Sequence, residues 1–102
     1  MNLTCLYPKT ETMWFDRDYY LNEHIPLVRK RLTPLGLNKI DIEEGLAGGV
    51  PGTPPAYIIV AKLSFDSLEI LQNALGTHGP ELISDIANFT DVQPVMQLGI
   101  SI

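Results

Sequence analysis

Between Trp14 and Val28 the chain reads WFDRDYYLNEHIPLV, which places a histidine, two adjacent tyrosines, several carboxylates and a proline in one short run. An imidazole takes up and releases a proton near neutral pH, and a phenolic hydroxyl beside it can orient or polarise a ligand oxygen. Tyrosine, histidine and aspartate rank low as helix formers, and an internal proline costs about 3 kcal/mol. A helix meant only to pack would avoid this composition. At 3.6 residues per turn, Asp16, Tyr20 and His24 are successive i, i+4 neighbours on one flank. His24 also lies one turn from Leu21 and Val28, so it borders the apolar stripe Leu21, Ile25, Val28 and Leu32. His24 is therefore the candidate acid or base, and Tyr20 the candidate orienting group. Asp16 is a possible partner for a ring nitrogen. Pro26 removes a bond to the carbonyl of Asn22 and biases Ile25 away from helical geometry, which predicts a kink beside His24. A plainer reading stays open: a core-edge histidine bonded to a backbone carbonyl, and a Trp14–Phe15–Tyr19–Tyr20 cluster that is simply core.

The remaining reactive residues offer less. His78 precedes Gly79 and Pro80 and reads as a surface turn residue at a helix start. Two histidines without cysteine or carboxylate at ligand spacing do not make a metal site. No serine sits in a G-x-S-x-G turn, and Cys5 falls within a predicted strand, so a nucleophilic triad is unsupported. The glycine-rich run from Gly48 to Thr53 lacks the lysine and following helix of a phosphate loop. It reads as a mobile hairpin loop that in a dimer would approach the mouth of a pocket.

The elements that would position His24 follow from pattern. Leu3 to Tyr7 predicts a first strand, and Asp16 suits the N-cap of a helix ended by Pro34 and Gly36. Leu37 to Leu46 alternates as an edge strand, with Ile40 and Ile42 opposite Lys39, Asp41 and Glu43. Tyr57 to Phe65 is the clearest strand. Asp66 and Glu69 imitate a capping box that opens a helix to about Leu75, and Thr77 to Gly79 interrupts it. Pro80 then starts a further helix to about Ala87. Val92 to Ile102 closes the chain as a strand with Met96, Leu98, Ile100 and Ile102 on one face. The order β-α-β-β-α-β predicts an α+β, ferredoxin-like fold: a four-stranded antiparallel sheet with helices on one face. Thr4, Leu6, Ile58, Val60, Val95 and Gln97 would lie on the bare face. That surface is too apolar to stay open, which predicts a homodimer with sheets face to face.

Composition sets the outer limits. The 102 residues suffice for one domain spanning 1–102, and 45% hydrophobic with 19% charged residues is an ordinary globular balance. A net charge of -5 argues against nucleic-acid binding; the basic run Arg29 to Arg31 reads as a complement to a helix C-terminus. One cysteine excludes an intrachain disulfide and fits a reducing compartment. Without a secretory pattern or an apolar run near the ~20 residues that span a bilayer, the expectation is a soluble cytoplasmic protein that does not engage membranes.

The run Phe15 to Val28 resembles the EthD family signature F-D-x-x-Y-Y-x-x-x-H-x-P-L, and Phe89-Thr90-Asp91-Val92-Gln93-Pro94-Val95 resembles the stretch leading into that family's last strand. The resemblance spans essentially the whole chain. It implies a ferredoxin-like subunit that pairs into a dimeric α+β barrel. The family takes its name from a gene cluster for ethyl tert-butyl ether degradation. Related barrels include cofactor-independent monooxygenases, lactone isomerases and polyketide cyclases. By analogy His24 and Tyr20 would be catalytic, with Asp16, Tyr19 and Val28 contacting substrate and no cofactor or metal needed. Three readings stay open: an enzyme acting on a small hydrophobic organic compound, a carrier of such a compound, and a structural dimer whose histidine simply packs.

Overall fold

The computed structural model describes all 102 residues. Its strands are β1 (Asn2–Pro8), β2 (Lys39–Glu44), β3 (Tyr57–Ser64) and β4 (Val95–Gly99). They form one antiparallel sheet in the order β2-β3-β1-β4. The helices are α1 (Arg17–Tyr19), α2 (Ile25–Leu32) and α3 (Leu68–Asp85), the last running into a 3-10 turn at Ile86–Asn88. The fold is α+β and ferredoxin-like, as the order of elements predicts. No helix is long and apolar enough to cross a membrane.

Alternation sorts the sheet residues. Leu3, Tyr7, Ile59, Ala61 and Leu63 are buried under the helices, where they meet Ile25, Val28, Leu32, Leu71, Ala74 and Leu82. The opposite face carries Thr4 beside Lys62 and Gln97, and Leu6 beside Val60 and Val95. Asp41 and Glu43 border it across β3. The uncovered face thus has an apolar centre and a charged margin. Strand β4 is shorter than its pattern suggests, and Met96 and Leu98 sit opposite Cys5 and Leu3 on the helix side. Both stay about half exposed because the helices stop short of this edge.

Two helical expectations are corrected. Pro26 does not push Ile25 out of helical geometry, since Ile25 keeps φ -64° and ψ -42°. The missing donor is absorbed upstream by a π turn, Tyr20–His24, in which the amide of Ile25 bonds to the carbonyl of Tyr20. Pro26 then occupies the first turn of α2, where its lack of an N–H matters least. The second correction concerns the glycine–proline run. Ser67, not Asp66, caps α3 by accepting from the amide of Ile70, and the helix continues unbroken through Thr77, Gly79 and Pro80. Pro80 forfeits a bond to Gly76. Leu71, Ala74 and Leu82 are buried on both sides of that gap, and each large apolar side chain so buried contributes about 1.5–3 kcal/mol. That outweighs the break, so His78 lies within a helix and not in a turn.

Gly36 ends the first helical segment at φ +110°, and a methyl there would collide with the Cγ2 of Ile70 on α3. Gly36→Ala should lower unfolding stability by at least about 1–2 kcal/mol through left-handed strain alone, visible as a reduced urea midpoint. Gly49→Ala, with open space around it, should stay within about 0.5 kcal/mol of the parent.

Candidate functional site

The site begins with the way the helical entrance is pinned. The side chain of Asp16 caps α1 by accepting from the amide of Tyr19 at 3.0 Å, and its own amide donates to the carbonyl of Phe89 at 2.7 Å. Thr90 donates from Oγ1 to the carbonyl of Trp14 at 2.8 Å. These bonds fasten the segment before α1 to the segment after α3. Phe89 is thereby set in the middle of the aromatic residues, 5.2 Å from the ring of Tyr20 and 4.6 Å from that of His24.

The π turn then presents Tyr20 and His24 on the same side, stacked at 5.7 Å and 22° between planes. Both are buried. His24 Nδ1 lies 2.8 Å from Asp85 Oδ2 at the last turn of α3. The other oxygen of Asp85 accepts from the Tyr19 hydroxyl at 2.7 Å and from Asn88 Nδ2 at 2.9 Å. Burial works to raise the Asp85 carboxyl, but hydrogen bonds from Tyr19, His24 and Asn88 outweigh it and hold the group below its ordinary value. An ionised carboxylate only accepts, so the proton of neutral His24 sits on Nδ1. Burial is the largest influence on the imidazole and lowers its pKa; the bond to Asp85 and its charge oppose this without reversing it. His24 is therefore neutral at pH 7, with the Nε2 lone pair free.

That lone pair meets a void. Between the sheet and the helices lies a cavity of about 210 Å³ lined by 17 residues, 14 of them hydrophobic. Polar side-chain atoms come from His24 and from Cys5, Tyr7 and Tyr20, which are counted among the 14, and no Lys, Arg, Asp or Glu touches the cavity. Neither tyrosine hydroxyl is hydrogen-bonded within the protein. Nor is any side-chain nitrogen or oxygen both sealed from solvent and unpartnered, so both hydroxyls and Nε2 keep some accessible surface, and all three residues line the void. Burial raises the pKa of both tyrosines, and it pushes the Cys5 thiol to about 11. All three keep their protons. Ile83 and Met96, about half exposed, mark the mouth between α3 and β4.

The sequence candidates divide cleanly. His24, Tyr20 and Val28 line the cavity. Tyr19 does not; it braces Asp85 from the far side. Asp16 is an exposed helix cap and touches neither the imidazole nor the void. Trp14 is half exposed and outside the ring cluster, which is built from Tyr7, Phe15, Tyr20 and Phe89. Within one protomer neither the glycine-rich loop nor His78 lines the cavity. Asp85, Asn88 and Tyr7 were missed. Asp85 carried a faint signal: on a continuous α3 it falls one turn beyond the buried Leu82, next to Ile86. No group of three or more metal-ligating side chains converges anywhere in the fold.

The ferredoxin-like fold agrees with the chain's relatives. The family model described as "EthD domain" matches residues 12–93. The chain belongs to the EthD family. An EthD-like protein from Ralstonia eutropha JMP134 shares 40% identity with it over 94% of this chain and 86% of its own, at a TM-score of 0.87. An EthD family protein from Bacillus halodurans C-125 is 22% identical over 95% and 97% of the two chains, with a TM-score of 0.61. A dimeric ferredoxin-like protein from an uncultured marine organism is 16% identical over 99% and 96%, at 0.50. No curated protein matches the chain.

The depressed pKa of His24 makes stability depend on pH with a definite sign. The unfolded chain protonates this ring as pH falls through 6.5, while the folded state resists until lower pH, so stability is lost over that interval. Melting temperature should fall from pH 7 toward pH 5, and His24→Gln should flatten that decline. An unchanged acid limb in the variant would mean the ring is not held neutral.

Proposed function

We propose that the cavity is a small-molecule site in which His24 moves a proton on a small hydrophobic organic compound. The observation that carries this reading is one imidazole, tied at Nδ1 to an ionised carboxylate and open at Nε2 to an apolar void. A neutral imidazole in that tautomer is a general base, and the Asp85 carboxylate stabilises the imidazolium that forms. The chemistry this supports is proton abstraction next to a carbonyl, as in isomerisation or cyclisation, or ionisation of a hydroxyl before attack on oxygen. Tyr20 supplies a hydroxyl to the substrate oxygen. Val28 contributes apolar wall. Tyr19 acts through Asp85, and Asp16 only through the helix it caps. None of these steps calls for a resident cofactor. A carrier that binds without turnover is the second reading, favoured by the 14 hydrophobic residues among the 17 of the lining.

The two readings part on deuterium exchange. Small cyclic ketones incubated in D₂O should exchange their α-hydrogens faster with the protein, followed by proton NMR. The acceleration should be level at neutral pH and decline in acid below the lowered pKa of His24. His24→Gln and Asp85→Asn should each reduce it at least about a hundredfold while leaving the ketone's affinity within a few fold. Binding without exchange would support the carrier.

The protein is further proposed to work as a homodimer through the bare sheet face. The apolar centre at Leu6, Val60 and Val95 supports this, as does the dimeric state of the marine ferredoxin-like neighbour. In sedimentation the parent should run at twice the chain mass. Val60→Asp should yield monomer with the melting transition retained, and a parent that sediments as monomer would remove the proposal.

A further inference from the structure

Tyr7 has no part in the proton transfer described above, yet its surroundings are unusual. Its side chain is 3% exposed, on the central strand, with its ring 5.9 Å from that of Tyr20. Both hydroxyls are without a protein partner, and both residues line the same void. Neither hydroxyl is sealed, so each takes its hydrogen bond from a molecule outside the protein, whereas an ordinary core would place phenylalanine at these positions. Here two such tyrosines line one void together with His24.

Resting on the reading of this cavity as a ligand site, we infer that Tyr7 and Tyr20 form a pair of hydrogen-bond donors for one substrate oxygen. The ligand class is a neutral, single-ring compound whose acidic hydroxyl, a phenol or a stable enol, faces His24. Three observations narrow it so far. Size comes first: a cavity of about 150 Å³ holds benzene, so about 210 Å³ has room for one ring with a small substituent. Charge comes second. With no Lys, Arg, Asp or Glu in the lining and His24 held neutral, a carboxylate, phosphate or ammonium would enter without a counter-ion. Donor and acceptor matching comes third. Nε2 only accepts, so a ligand that hydrogen-bonds to it brings a donor, and a hydroxyl fits best because its oxygen can also accept from two tyrosines. Proton transfer then balances simply. The ligand O–H bond breaks, an Nε2–H bond forms, and the electron pair stays on an oxygen held by both phenols. The tyrosines keep their own protons because burial raises their ionisation.

The test is titration of the wild-type protein at pH 7 with phenol, toluene, benzoate and benzylammonium, followed by calorimetry or NMR. Phenol should bind about tenfold more tightly than toluene, and both ions at least tenfold more weakly than phenol. Tyr7→Phe and Tyr20→Phe should each reduce phenol affinity about tenfold and leave toluene within twofold. Equal binding of phenol and toluene, preference for benzoate, or undiminished phenol binding in Tyr7→Phe would each overturn the inference while leaving His24-dependent exchange standing. Should Tyr7→Phe fail to fold, the ratios among the four probes in the wild type decide the matter. If none of the four binds, the ligand site itself falls, and this inference with it.

Discussion

One hydrogen bond joins the two halves of this chain's site: His24 Nδ1 to Asp85 Oδ2, at 2.8 Å. Its members are 61 residues apart, on the π turn and at the end of α3. Everything about the imidazole depends on it. Without the carboxylate the ring could rotate, adopt the other tautomer, or turn a donor toward the cavity. With it, the lone pair on Nε2 is aimed and held. The carboxylate is itself triply bonded, through Tyr19 and Asn88 as well as His24. Its charge is therefore shared, and burial of the ring prevails over that charge in setting the imidazole's pKa. A carboxylate serving His24 alone would draw the ring toward the protonated state and spoil it as a base.

The π turn is what makes that bond possible. In an uninterrupted α-helix, Tyr20 and His24 would follow the stripe that ends in Val28 and Leu32. The additional residue in the turn rotates the segment before Pro26 relative to the segment after it. Tyr20 and His24 are thereby buried together, stacked against each other and against Phe89, while Ile25, Val28 and Leu32 still face the sheet. Proline stabilises this arrangement by withholding the one amide that would complete a regular rung. The same residue type is absorbed differently in α3. There Pro80 sits mid-helix with no compensating turn, because the apolar residues on either side of it hold one straight face against the sheet.

The topology was legible because it rests on period alone. Alternation in Leu3–Tyr7 and Tyr57–Phe65, and the stripe ending at Leu32, survive any local irregularity. The core of the candidate site was legible for a related reason. His24 and Tyr20 are expensive residues in a helix, and their cost shows without coordinates. Their partners were not. Asp85 is one carboxylate among twelve acidic residues, and only a continuous α3 carries it to the imidazole. Reading Gly79-Pro80 as a break hid that continuity, since propensity gives proline's local cost but not the burial that offsets it. Asp16 does not meet the imidazole because the i, i+4 spacing runs into a segment where the helix begins, and a cap faces the backbone. Tyr7 looked like an ordinary strand residue, since a sequence shows that a tyrosine is buried but not whether its hydroxyl is satisfied.

A cavity of this size in so small a chain needs a physical reason to persist. Left sealed and dry, about 210 Å³ would cost on the order of 5 kcal/mol, comparable to the whole stability of many domains of this length. A core free to relax would close it by moving α3 toward the sheet. Two features oppose that movement. Tyr7, Phe15, Tyr20 and Phe89 meet edge to face at 5.2–5.9 Å, which props the base of the cavity with rigid rings. The bonds from Trp14 and Asp16 to Phe89 and Thr90 fix the distance between the helical entrance and the end of α3. Two of the residues that hold the hollow open, Tyr20 and Phe89, also pack against the imidazole. A substitution that loosened either would be felt at both, so the ring cluster belongs to the site as much as His24 does.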